Sequence, residues 1–218
     1  MSLLIKKSRK KLNNSMTSHS QFEQDIFVLN FFKKQPGYFV DLGCGDGKII
    51  PAGSNSLLLE ENGWYGIGID IDAKSVADYN SFRKTKAYVE DLTVTPITEI
   101  LDRNSAPLVI DYLSYDVDEA LKQSLELLDL SKYKFKIIHF EHNLYAQHLP
   151  PYEGLKDMAH SKFTSAGYTR FISNLQDACG HSVEDWYAHT ELVDTEQLKF
   201  QNDITFSNIK NSYSYSND

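Results

Sequence analysis

Three glycines and two acids carry the first chemical signal in this chain. The segment Tyr38-Phe-Val-Asp41-Leu-Gly43-Cys-Gly45-Asp46-Gly47 follows Pro36-Gly37 and passes from an aromatic and β-branched run into a glycine turn. That is the pattern of a buried strand ending on an acid. Glycines at 43, 45 and 47 let the backbone turn sharply and leave no Cβ over the strand tip. Trp64-Tyr-Gly-Ile-Gly-Ile-Asp70 is a second strand that also stops on an acid. A carboxylate there, 27 residues after Gly43, suits paired hydrogen bonds to two ribose hydroxyls.

The turn also discriminates between nucleotide-like cofactors. It reads G-x-G-x-G behind Asp41, whereas the dinucleotide fingerprint places its third glycine one position later, where Lys48 stands. A diphosphate would meet Asp41, Asp46 and Asp70, three groups of its own charge. S-adenosylmethionine brings a sulfonium and an ammonium, which acids attract. The phosphate-cradling pattern G-x-x-x-x-G-K-[ST] is absent from the sequence.

Because ligands of open α/β sheets bind at the carboxyl ends of the strands, the acids at the later strand ends are the next candidates. Glu90 and Asp91 end the third strand, where an acid can accept the adenine amino group; a solvated loop acid is the competing reading for each. Asp116 ends the fourth, beside the expected methyl sulfur. There it would orient the amino end of the cofactor or take a proton from an acceptor hydroxyl. Glu141, His142 and Asn143 end the fifth. The unperturbed histidine pKa of about 6.5 makes His142 a candidate general base. Asp116, Glu141 and Asn143 also form an oxygen-ligand set of the kind that holds Mg²⁺, with loop acids as the equal alternative. His139 is read as packed, and Trp186 and Tyr187 as aromatic core or as walls of an acceptor pocket.

Alternating elements must position these groups. Helices are predicted over 20–34 (opened by a capping box of Ser20 with Glu23), 54–63, 74–84, 96–103 (with Pro96 at its first position), 119–130 and 155–166. Strands are predicted over 38–42, 64–70, 87–92, 109–116, 135–140, 169–173 and 183–189, the last two as an antiparallel hairpin whose loop, 174–180, overhangs the pocket. This is an α/β chain with a doubly wound, mostly parallel seven-stranded sheet and an antiparallel last strand. It makes a single domain over 18–198, with a basic arm over 1–17 and a polar tail that frays over 199–218.

Composition agrees. A chain of 218 residues, 41% of them hydrophobic, can form one sizeable core. A formal net charge of −8 repels polyanions, so non-specific nucleic-acid binding is not expected. Two cysteines, Cys44 and Cys179, make neither a disulfide framework nor a paired metal motif, and a reducing cytoplasm is the default. Apolar runs fall short of the roughly 20 residues of a membrane helix, and residues 1–11 lack the apolar core of a secretory signal.

The order of several motifs resembles the FkbM-type methyltransferases, which are class I, Rossmann-like, S-adenosylmethionine-dependent enzymes. The motifs are Ser20-Gln-Phe-Glu-Gln-Asp25, Tyr38 to Gly47, Ser54-Asn55-Ser56 with Leu59-Glu60, Gly63-Trp64-Tyr-Gly66-Ile67 and Leu113-Ser-Tyr-Asp116-Val-Asp118. The resemblance covers residues 18 to 190. It implies that Asp41, Gly43, Gly45 and Gly47 line the methionine and ribose end of the cofactor, with Asp46 beside them. It further implies that Asn55 lies near the amino-acid tail and that Asp70, followed by Ile71, holds the ribose. The chain departs from the family in having Asp70-Ile71 for Glu-Pro and Asp118-Glu119 for Glu-Gly. The expected activity is O-methylation of a hydroxyl on a small molecule or glycan. The rivals are a non-catalytic cofactor-binding protein and, behind it, a nicotinamide-dependent oxidoreductase. Sequence leaves the acceptor and the oligomeric state open.

Overall fold

In the computed structural model, which describes residues 16–48 and 53–205, one eight-stranded sheet has the order β3-β2-β1-β4-β5-β7-β6-β8. The strands are β1 (Tyr38–Leu42), β2 (Tyr65–Asp70), β3 (Lys86–Val89), β4 (Val109–Tyr115), β5 (Lys134–Glu141), β6 (Tyr168–Gln176), β7 (Ser182–His189) and β8 (Gln201–Asn202). Pairing is parallel throughout, except that β7 runs antiparallel to both β5 and β6. From β1 the chain winds outward through β2 and β3, then returns to place β4 on the other side of β1. The crevice between the carboxyl ends of β1 and β4 is therefore the topological switch point.

Two hydrophobic clusters sandwich the sheet. On one face α1 (Gln24–Phe31) and α2 (Leu57–Glu61) lay Phe27, Leu29, Leu58 and Leu59 against Phe39, Tyr112, Ile137 and Trp186. On the other, α4 (Ile97–Arg103), α5 (Leu121–Leu127) and α6 (Leu155–Ser165) cover Val40, Leu113, Ile138 and Tyr187. Between them in sequence, α3 (Ala73–Phe82) packs Val76 and Tyr79 on Cys44 and Ala87.

Several local expectations shift. The first helix begins at Gln24 rather than Ser20, because Glu23 sits at φ 58 with no side-chain cap. The Ser20 hydroxyl instead donates to Asp25 Oδ1 at 2.8 Å, and the same carboxylate accepts from Ser18 Oγ at 2.6 Å and the His19 N–H at 2.7 Å. Pro96 precedes α4 as its N-cap, and a 3₁₀ turn (Asp118–Ala120) leads into α5. Strand β6 runs on to Gln176 through irregularities, so the 174–180 loop shrinks to a turn after it. The tail expected to fray from 199 contributes β8, paired to Ile172 and Ser173, and buries Ile204. Most of the basic arm lies outside the described residues. Among the described residues no helix is long and apolar enough to cross a membrane.

Close strand packing explains two glycines inside β2. A Cβ on Gly66 would lie 2.3 Å from the Phe39 carbonyl oxygen, and one on Gly68 would lie 2.7 Å from Cys44 Sγ. Gly66→Ala forces β1 and β2 apart and is expected to cost about 1–3 kcal/mol, read as a lowered urea midpoint at unchanged m-value.

Candidate functional site

At the switch point, register turns strand tips into a polar floor. Asp41 of β1 pairs with Ser114 of β4, Ser114 with His139 of β5, and His139 with Trp186 of β7. Two residues further along lie Asp116 and Glu141, and Glu141 pairs with Glu184. With a side-chain period of two, these groups share the face covered by α1 and α2. Phe39, Tyr112, Ile137 and Trp186 form the apolar layer beneath.

Two cavities meet here across Gly43, Gly45 and Asp116. The larger, about 570 Å³, is lined by Asp70, Ile71, Glu90, Asp91, Leu92 and the 116–120 segment. The smaller, about 110 Å³, is lined by Asp41, Asp46, Asn55, Ser114, Asp116, His139, Glu141 and Glu184, with Gln21 and Gln24 arriving from the α1 side. Asp70 Oδ2 accepts the Gly45 N–H at 2.8 Å and Oδ1 accepts the Asp72 N–H at 2.8 Å, which fixes the carboxylate at the mouth of the larger cavity. Ile71, 66% exposed, offers an apolar surface beside it. Glu90 is drawn to Arg103 at 2.7 Å, while Asp91 Oδ1 takes the Thr93 N–H and hydroxyl at 2.9 and 2.6 Å.

The turn itself is held by contact. Gly43 has φ +76, and a Cβ there would fall 1.5 Å from the Asp116 carbonyl oxygen; Gly45 faces open space. Gly47 lines neither cavity. It packs under Tyr79, where a Cβ would come within 2.4 Å of the ring, and its carbonyl accepts from Arg83 at 3.2 Å. Its φ of +68 thus serves packing on α3.

Electrostatics sets the small cavity apart. Asp41 is buried, which raises its pKa against the opposing hydrogen bond from Ser56 (2.6 Å) and the nearby Arg83. Arg83 bonds Ser56 at 3.1 Å and pairs with Glu60 at 3.3 Å. Asp116 and Glu141 hydrogen-bond to each other; burial and then the Glu141 charge push Asp116 well above the usual carboxylate range, while burial, with Glu184 and Asp118 adding to it, raises Glu141 against the hydrogen bond with Asp116. Such a pair retains one proton between its members. Glu184 accepts from Gln24 Nε2 at 2.9 Å and Trp186 Nε1 at 2.6 Å, yet burial pushes it up to about 8.

His142 does not join this site. It is 1% exposed and lines neither cavity; its Nε2 is 3.2 Å from Asp185 Oδ1 and its Nδ1 accepts the Leu144 N–H at 3.1 Å. Burial lowers its pKa against the pull of Asp185. Burial alone would raise Asp185, but hydrogen bonds from His142 and the Asn174 N–H, with Lys156 nearby, hold it at about 2. Both ring nitrogens of His142 are thus engaged, Nε2 with Asp185 of β7 and Nδ1 with the local Leu144 N–H, and it is no free base.

Nor do the residues fit a magnesium site. Asn143 presents its Nδ2 to Glu141 Oε1 at 2.6 Å, and the raised pKa of both Glu141 and Asp116 favours protons over a metal ion there. Among the described residues the one compact His/Cys/Asp/Glu group is Asp177, Cys179 and His181 on the turn after β6. Its closeness reflects the 3.0 Å hydrogen bond between Asp177 and His181. That turn lines neither cavity. Trp186 and Tyr187 are fully buried core.

Gln24 and Glu184 were not singled out from the sequence as site residues. Their signals were the alternation along β7, which puts Glu184 on the face of Trp186, and the Gln-x-x-Gln run before α1.

No family model matches the chain, and no curated protein matches it. Solved structures match in fold. A putative caffeoyl-CoA O-methyltransferase from Staphylococcus aureus superposes with a TM-score of 0.51 at 11% identity, over 78% of this chain and 84% of that one. The magnesium protoporphyrin IX methyltransferase from Synechocystis, with bound S-adenosylmethionine, gives a TM-score of 0.48 at 14% identity over 76% of each chain. A TehB-like methyltransferase from Corynebacterium glutamicum gives 0.46 at 13% identity over 76% of this chain and 87% of that one. The architecture is that of the class I S-adenosylmethionine-dependent methyltransferases: one mostly parallel sheet with an antiparallel β7.

The raised acids have a consequence for the ligand-free protein. Glu184 holds its proton more tightly folded than unfolded, from 4.5 up to about 8. Its stabilisation is complete below the unfolded value and lost as pH rises through the folded one. Asp41, Asp116 and Glu141 act in the same sense. The lowered His139 and His142 act oppositely, but that contribution saturates above roughly pH 6.5. The melting temperature is therefore expected to fall between about pH 6.5 and 8, with a shallower slope in Glu184→Gln, as thermal melts across buffers would show.

Proposed function

We propose that this chain is an S-adenosylmethionine-dependent methyltransferase that transfers a methyl group to a hydroxyl of a small molecule or sugar, in keeping with the FkbM-type order of its motifs. The observation that carries the proposal is the meeting of two unlike cavities at Gly43, Gly45 and Asp116. In this reading the larger cavity takes the adenosine. Asp70 accepts from the ribose hydroxyls, Ile71 lies under the adenine, and Asp91 accepts from the exocyclic amine. The cofactor then crosses the glycine turn, where a side chain at Gly45 would intrude, and its ammonium and sulfonium lie toward Asp41, Asn55 and Asp116. Cationic groups are what this acid-lined space favours.

The acceptor approaches from the side of Glu141. Its oxygen attacks the methyl carbon as the carbon–sulfur bond breaks, the bonding pair leaves with sulfur as a neutral thioether, and the hydroxyl proton passes to the Asp116–Glu141 pair. A pair with raised affinity for protons is a better base than an ordinary carboxylate. Departure of a thioether needs little help, so alignment supplies much of the acceleration.

Thermal stabilisation by S-adenosylmethionine or S-adenosylhomocysteine, without stabilisation by NAD, is the expected first result; stabilisation by NAD instead would sink the reading. Asp70→Asn should weaken binding of either sulfur compound about tenfold to a hundredfold, the effect of one charged hydrogen bond. Glu141→Gln should leave that affinity nearly intact and lower kcat roughly 10²- to 10⁴-fold across a panel of hydroxylated acceptors. Binding without turnover on any of them would identify a non-catalytic cofactor-binding protein instead.

A further inference from the structure

The small cavity carries, at His139, a feature that the donor leaves unanswered. His139 is 2% exposed and lines that cavity. Its ring is stacked on Trp186 (centroids 4.0 Å, 16° between planes) and its Nδ1 lies 3.1 Å from Tyr112 Oη. Its Nε2 has no hydrogen-bond partner. A buried ring nitrogen without a partner is costly to keep, and this one is fixed in place by stacking rather than free to turn elsewhere.

The charges around it point to the missing partner. Asp41, Asp46, Asp116, Glu141 and Glu184 line the cavity, and no lysine or arginine is among its described lining residues. The groups facing Glu184 are the neutral donors Gln24 and Trp186, His139 at 3.9 Å, Glu141 across the strand pair, and Asp116 and Asp185. Burial keeps His139 itself uncharged. The donor's ammonium and sulfonium fall near Asp41 and Asp116 in the reading above, and its own carboxylate offsets one of them. The Glu184 end therefore stays without a counter-charge after the donor has bound.

We propose that Gln24, His139, Glu141 and Glu184 form the acceptor subsite, and that it takes a protonated amino group carried by the acceptor near the hydroxyl that is methylated. The inference rests on the methyltransferase reading. An ammonium has three N–H donors; in the tautomer whose Nδ1–H donates to Tyr112 Oη, His139 Nε2 is an acceptor, and Glu184 and Glu141 supply the others, whereas a hydroxyl has one donor. The acceptor class is then amino alcohols and amino sugars rather than neutral polyols. Glu184 ionises as the cation arrives and exchanges its own proton for the charge of the ligand.

Matched probes test this on the full chain loaded with S-adenosylhomocysteine: 2-aminoethanol against ethane-1,2-diol, and glucosamine against glucose. The amino member of each pair is expected to stabilise the loaded protein at roughly tenfold lower concentration and to shift the His139 ring resonances. Glu184→Gln, which keeps the shape and the bonds to Gln24 and Trp186, should abolish the preference while S-adenosylhomocysteine still binds. Equal responses within both pairs, no response to either amino member, or a preference that survives Glu184→Gln would each overturn the proposal. If the variant does not fold, the wild-type pairs and the ring resonances decide alone. Failure of S-adenosylhomocysteine to bind wild type would instead sink the methyltransferase reading itself, so the two failures are distinguishable.

Discussion

Four carboxyl groups crowded at neighbouring strand tips, Asp41 and Glu184 buried and Asp116 and Glu141 half-buried, with Arg83 the one buried lysine or arginine among the described residues, are the constraint around which this end of the molecule is built. Asp41 alone has help, from Ser56 and from Arg83 behind it. Asp116 and Glu141 hold one another, and Glu184 rests on two neutral donors. Isolated buried charges of one sign are expensive, and such groups keep protons instead. A site whose acids hold protons more tightly than ordinary carboxyls when empty favours their ionised forms once a cation enters.

Placement follows from register rather than from any local motif. Parallel pairing sets Asp41, Ser114 and His139 side by side, and the antiparallel β7 brings Trp186 and Glu184 into the same rows. Beneath them each strand is apolar or aromatic on that face. Slipping β5 by one residue against β4 would exchange His139 and Glu141 for Ile138 and Phe140 and put charges into the core under α5 and α6. The aromatic layer thus does more than fill volume, because it locks the register that aims the polar row.

This division explains what could be read from the sequence. The glycine turn, Asp41 and Asp70 were legible because a strand, its terminal acid and its turn are contiguous, and backbone chemistry at glycine is local. The doubly wound, mostly parallel sheet follows from the alternation of elements, although its eighth strand does not. His142, at the end of β5, looks exposed in the sequence, and only the antiparallel neighbour, distant in sequence, brings Asp185 to it and buries it. His139, three residues earlier, looked like core. It is core, but it sits on the face where the cavity opens, and a single sequence does not show which face that is. Glu184 and Gln24 are partners 160 residues apart, so neither marks the other. The first helix begins four residues later than expected because Asp25 collects Ser18, His19 and Ser20 into a turn of its own, in competition with a capping box.

Asp70 shows how the two ends of the site are made to act together. One of its oxygens holds the Gly45 N–H and the other the Asp72 N–H, and Asp72 in turn caps α3 through the backbone of Lys74 and Ser75. The carboxylate at the larger cavity is therefore continuous, through one hydrogen bond, with the glycine turn that separates it from the smaller one. Gly43 is pressed on the Asp116 carbonyl on the other side of that turn. A ligand that pulls on Asp70 acts on the turn, and the turn bears on the strand end that carries Asp116. Backbone N–H groups and a carbonyl contact make this linkage, with no long side chain to reorder, so the geometry at Asp116 is set before anything binds. For the proposed methyl transfer, whose rate would depend on holding three atoms in line, that rigidity is the contribution the fold itself can make.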